Sequence, residues 1–127
     1  MLTTSVNAQF VKHYKYYQNK KYNDVTETYE NVLSLETETT IFFNIGDSGR
    51  DCKIVPINDE ENAIYLYNVV ADDEQVSEEY TTFTCYNVNG AQISGAYAGG
   101  WVTFSIGDVM LTYLTFKPKG FDSNKNI

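Results

Sequence analysis

The chain has 127 residues, 43% hydrophobic and 15% aromatic, and a net charge of −8. That length suits a single domain whose core needs no metal or disulfide to hold it. Residues 22–116 hold sixteen acids against Arg50 and Lys53, and so acidic a body repels a phosphate backbone, which leaves only the basic N-terminal segment able to meet DNA or RNA; no nucleic acid partner is expected. No run approaches the roughly 18 apolar residues that a membrane span needs.

In chain order, the first feature is the stretch from Leu2 to Ala8 before Gln9. Val6 and Ala8 fall at the two small-residue positions that precede a signal-peptide cleavage site. Residues 1–8 then read as the end of an export signal, residues 9–119 as the domain and residues 120–127 as a disordered tail. The basic and apolar parts of such a signal are missing, so either the frame begins upstream of Met1 or the ending is a coincidence.

The body alternates polar and apolar residues with period two and has no helical stripe of useful length. Strands are expected at 10–17, 25–35 and 39–45, the last with Ile41, Phe43 and Ile45 on one face, before a turn at Gly46-Asp47-Ser48-Gly49. Residues 51–57 and 63–70 form an expected hairpin around the loop from Asn58 to Asn62. An acidic connection over 72–79 leads to a strand at 80–88. Asn89-Gly90 suits a two-residue type I′ turn, where both central residues need positive φ, and Gly107-Asp108 suits type II′. The second turn sets Ile106 opposite Val109, Phe104 opposite Leu111 and Val102 opposite Tyr113, bulky cross-strand pairs of the kind that stabilise a sheet. The glycine-rich stretch from Gly95 to Gly100 has neither the lysine nor the following helix of a phosphate-binding loop, and reads as a connection. The expectation is an all-β, single-domain antiparallel meander of about eight or nine strands, closed or partly closed into a barrel, with a two-layer β-sandwich as the alternative.

Little in the chain points to chemistry. His13 is the only histidine, too few for a histidine metal site or a Ser-His-Asp relay. Ser48 lacks the strand-to-helix setting of a nucleophile. The acids Asp59-Glu60-Glu61, and Asp72-Asp73-Glu74 with Glu78 and Glu79, lack the spacing of a calcium loop. No catalytic residue, metal ligand or cofactor is assigned. The segment from Lys12 to Tyr22 interleaves cations with aromatics, which suits stacking on a ligand or a lysine-guarded edge strand. Tyr14, Tyr16, Tyr17 and Trp101 are the candidate ligand contacts. Cys52 and Cys85, placed in a meander, fall two strands apart with Cys52 opposite Asn68 and Cys85 opposite Tyr65. That is too far for a disulfide, so two buried thiols are expected.

From Tyr29 onward the rhythm of Thr40-Ile41-Phe42-Phe43-Asn44, Ile64-Tyr65-Leu66-Tyr67, the run Thr84 to Gly90 and the closing run Leu111 to Phe116 resembles small, mostly uncharacterised exported β proteins of Bacteroidota. The resemblance implies an exported, periplasmic or extracellular location and no catalytic residue. The expected function is a non-enzymatic binding domain for a protein, glycan or small apolar molecule. The alternatives are a structural or inhibitory part of an envelope assembly, and a carboxylate-dependent hydrolase with two acids facing one cleft.

Overall fold

The computed structural model describes residues 9–56, 60–72, 79–119 and 121. Eight strands follow in order: β1 (Phe10–Asn23), β2 (Thr28–Ile45), β3 (Asp51–Pro56), β4 (Ile64–Ala71), β5 (Thr81–Tyr86), β6 (Gln92–Ala98), β7 (Trp101–Ile106) and β8 (Val109–Leu114). A 3₁₀ turn at Glu60–Asn62 precedes β4. Each strand pairs antiparallel with the next, and β8 returns to β1 to close a barrel. The fold is the all-β meander, closed, and not the sandwich. Among the described residues no helix is long and apolar enough to cross a membrane.

The first hairpin is longer than its sequence pattern suggests. The strands expected at 25–35 and 39–45 are one strand, β2, from Thr28 onward, with residues 25–27 in the turn before it. Glu36-Thr37-Glu38 breaks the apolar alternation without a glycine or proline to break the backbone. β1 likewise runs on from Tyr17 to Asn23. The chain reverses on asparagine chemistry: Asn23 Oδ1 accepts the N–H groups of Val25 at 2.8 Å and Thr26 at 3.3 Å. Glu27 then takes a left-handed conformation, with φ of 58°, a turn built without glycine.

Two further expectations are corrected. Residues 95–100 are not simply a connection, since β6 runs to Ala98 with Gly95 inside it. A Cβ on Gly95 would come within 2.2 Å of Phe83 Cζ, so the glycine makes room for the ring that packs across it. Asn89-Gly90 is not a two-residue turn. Asn87 donates to the Ala91 carbonyl at 3.0 Å and accepts from the Gly90 N–H at 2.9 Å, and of residues 88–90 only Gly90 has positive φ. That is a three-residue loop with glycine in the left-handed position. Gly107-Asp108 does form the expected tight turn, with Ile106↔Val109, Phe104↔Leu111 and Val102↔Tyr113 in register.

The barrel is filled. Tyr14, Ile41, Phe43, Cys52, Ile54, Leu66, Phe83, Cys85, Ile93, Val102, Phe104 and Tyr113 form one buried cluster. Phe104 meets Phe83 and Tyr113 edge-on, at 5.8 and 6.3 Å between ring centres. Eight strands leave an interior about wide enough for side chains to occupy.

Cys52 and Cys85 are buried free thiols. Their neighbours differ from the simple meander count: Cys52 faces Leu66, not Asn68. Cys85 faces the bulge of Asn68 and Val69 in β4, not Tyr65. The extra residue in β4 shifts the register, but the cysteines remain two strands apart, roughly 10 Å across the sheet. Thiol titration without reductant is expected to find two thiols in denaturant and neither in the folded protein. No reactive thiol after denaturation would require a disulfide and a different strand order.

Candidate functional site

Up-and-down topology puts the β2–β3, β4–β5 and β6–β7 connections at one end of the barrel, together with the start of β1 and the end of β8. At this mouth the filled interior gives way to a hollow of about 430 Å³ lined by Phe10, Phe43, Asn44, Val69, Ala71, Phe83 and Tyr97. Its walls are aromatic: Phe10 stacks on Phe43 at 4.8 Å, and Tyr97 lies 6.4 Å from Phe43 and 6.1 Å from Phe83. The size falls within the range of small-molecule sites, which are mostly apolar with few polar groups.

Two β-bulges shape this mouth. Phe43 and Asn44 together oppose Cys52 on β3, and Asn68 and Val69 together oppose Cys85 on β5. In each bulge an asparagine holds the left-handed conformation, with φ of 60° at Asn44 and 56° at Asn68, which asparagine tolerates better than most residues. An extra residue bends its strand and re-aims the adjoining side chain, here Phe43 and Val69, both on the hollow. The β2–β3 turn is tied to the second bulge: Val69 N–H donates to the Arg50 carbonyl at 2.7 Å and Asn68 N–H to Asp51 Oδ1 at 3.2 Å. The small side chains of Cys52 and Cys85 stand buried opposite the two bulges.

The candidates from the sequence do not converge on this mouth. Tyr14 is buried in the core, 6.2 Å from the Tyr113 ring, and Tyr17 packs against the same ring at 5.1 Å. Tyr16 and Trp101 lie on the outer wall, each paired across the sheet with Leu114. Tyr16 meets Phe121 edge-on at 5.2 Å, and Trp101 meets Tyr80 at 5.9 Å. Phe121 is the one described residue of the tail expected at 120–127. In the sequence Phe10, Phe43, Phe83 and Tyr97 each read as ordinary strand aromatics, and only the closure brings the four together.

The polar candidates are also dispersed. His13 is exposed, with Nδ1 at 3.0 Å from Thr40 Oγ1. Ser48 Oγ accepts the Arg50 N–H at 3.1 Å within the β2–β3 turn. Glu60 is ion-paired with Lys53, while Asp59 and most of the acidic connection over 72–79 lie outside the described residues. Among the described residues no three His, Cys, Asp or Glu side chains are grouped to hold a metal. The chain matches no family model, no curated protein and no solved structure.

Gly95 supports a direct test of the packing beneath the mouth. Gly95→Ala is expected to cost about 1–3 kcal/mol by overpacking, read from the denaturant midpoint, and Phe83→Leu in the same chain is expected to restore part of it. No change in the single variant would mean that the Phe83 ring does not lie over the glycine.

The buried acids of the core set the pH response. Burial pushes the Tyr14 phenol up to about 12 and the Cys85 thiol up to about 11. It also raises Tyr17, Cys52 and Tyr113. These groups hold their protons in the fold and release them sooner in the unfolded chain, so stability is full below the ordinary thiol and phenol values and falls as pH rises through them. Denaturant midpoints are expected to drop steeply between about pH 9 and 12, with the buried tyrosines ionising only on unfolding. A flat profile through that window would contradict the burial.

Proposed function

We propose that the protein is a non-enzymatic binding domain that takes a small, mainly apolar ligand with a flat ring or chain at the barrel mouth. The observation that carries this is the preformed hollow of about 430 Å³ walled by Phe10, Phe43, Phe83 and Tyr97. Aromatic walls offer stacking and edge contacts to a ligand, and backbone shaping by bulges at a ligand site is a known use of them. Export to the periplasm or cell exterior is part of the proposal. It is supported by Val6 and Ala8 before Gln9, outside the described residues apart from Gln9, and by β1 starting at Phe10. The resemblance to exported proteins of Bacteroidota agrees with it.

Anilinonaphthalene sulfonate is a suitable first probe, because its emission reports an apolar site. One saturable site on the folded protein is expected. Ala71→Trp, at an exposed position on the rim, should fill the hollow and abolish that signal while leaving the circular dichroism unchanged. Unaltered probe binding in the variant would remove the mouth as the site.

A second reading rests on β4. Tyr65 and Tyr67 flank buried Leu66 and so point outward, both exposed, with Val70 exposed beyond them. Such a face suits a glycan or protein partner. On this reading Tyr65→Ala and Tyr67→Ala abolish capture of the natural partner, and Ala71→Trp leaves it intact.

A further inference from the structure

β2 has a neighbour on both sides for only part of its length. β1 pairs with it from Thr28 to Phe43, but β3 pairs with it only from Thr39 to Ile45. The reason lies at the end of β3, where Pro56 stands opposite Thr39. Proline has no N–H to donate and ends a ladder, so the lane beside residues 28–38 of β2 is vacant among the described residues. Val32 is an extra residue between the pairs Asn19↔Leu33 and Lys20↔Asn31, a bulge that twists the lower part of the strand. A second bulge sets Thr37 and Glu38 together opposite Lys15, so the regular open stretch is 33–36.

We propose that this edge is a strand-addition site for an extended, basic and amphipathic segment of a partner protein. The two faces of the edge specify the alternation. Leu35 pairs with Tyr17, which packs against the core and the Tyr113 ring, and this places Leu35, and by period two Leu33, on the inward face. Leu33 and Leu35 are half-buried; on the opposite face Ser34 is buried against the Gln18 side chain, which donates to it at 3.4 Å, while Glu36 and, in the bulge beyond it, Glu38 are exposed. A strand laid in the vacant lane meets apolar groups on its inner side and carboxylates on its outer side. Opposite charges directly across a sheet stabilise and like charges destabilise, so the fitting partner alternates Val, Ile or Leu with Lys or Arg.

Two hollows border this lane. One, of about 430 Å³, lies where β3 ends, between Glu38, Thr39, Val55, Pro56 and Glu60. The other, of about 570 Å³, lies along Lys15, Tyr16, Glu36, Thr37 and Glu38. Lys15 lines both and His13 the first, while residues 28–38 hold Glu30, Glu36 and Glu38 and no base. A second copy presenting the same edge would set acid against acid. The charge therefore favours a basic strand from another protein over self-pairing.

The test uses the whole protein and a capped peptide, as long as the open stretch, that alternates Lys with Val. Three comparison peptides replace Lys by Glu, N-methylate the Lys residues, or N-methylate the Val residues. The Lys peptide is expected to bind at low salt and the Glu peptide not to. Only one of the two N-methylated peptides should lose binding, because alternate amides of a strand point to opposite edges and one set alone faces β2. Glu36→Lys with Glu38→Lys, both on the surface, is expected to weaken the Lys peptide by about tenfold or more and to leave probe binding at the barrel mouth unchanged. Equal binding of Lys and Glu peptides, or indifference to both methylations, would overturn the proposal. So would a dimer in light scattering that the double variant dissociates, since the occupant would then be a second copy. These outcomes are independent of whether the mouth binds a small molecule.

Discussion

Closure through β1 is the constraint on which the other features depend. Over residues 16–21 this strand is paired with β2 on one side and β8 on the other, and no other pairing joins the ends of the meander. Closure pairs the two end strands of the meander with each other over residues 16–21 of β1, and so covers edges that would otherwise be exposed there. It also wraps the alternating apolar side chains into one interior, where area removed from water stabilises the fold. The clustering of Tyr14 from β1 with Tyr113 from β8, and of Phe43 from β2 with Tyr97 from β6, exists only in the closed form.

Closing a sheet requires stagger between its strands, and the stagger accounts for both proposed sites. β8 meets the later part of β1, while β3 meets the later part of β2, which lies opposite the start of β1. One end of the long first hairpin thus carries Phe10 and Phe43 to the rim of the mouth. The other end extends β2 beyond the reach of β3 and leaves an acidic edge. The two bulges work on the same geometry from within, each turning its strand at a buried cysteine.

Much of this was legible in the residues. Period-two alternation gave the class, and Gly107-Asp108 fixed a hairpin register to the residue because that turn admits only one. The free cysteines followed from strand order. What was not legible depended on contacts distant in the chain. Gly95 looks like a loop residue until Phe83 is placed over it. Asn44 and Asn68 look like ordinary strand polar residues until the register shows two residues facing one. Asn89-Gly90 carried the signal of a tight turn, yet the Asn87 side chain accepts from the N–H groups of Asn89 and Ala91, both at 2.9 Å, and holds a wider loop. Local composition marks Tyr14, Tyr16, Tyr17 and Trp101 alike, and does not tell an inward tyrosine such as Tyr14 from an outward one such as Tyr16.

Residue-resolved amide hydrogen exchange tests the closure most directly. In a closed barrel the amides of residues 16–21 in β1 all face a neighbouring strand, so they exchange only by global unfolding and share the highest protection in the protein. Over residues 33–36 of β2, protection alternates instead, since every second amide faces the vacant lane. Alternating protection within 16–21, with half of those amides exchanging as freely as an open edge, would show that β1 and β8 do not pair and that the barrel is open.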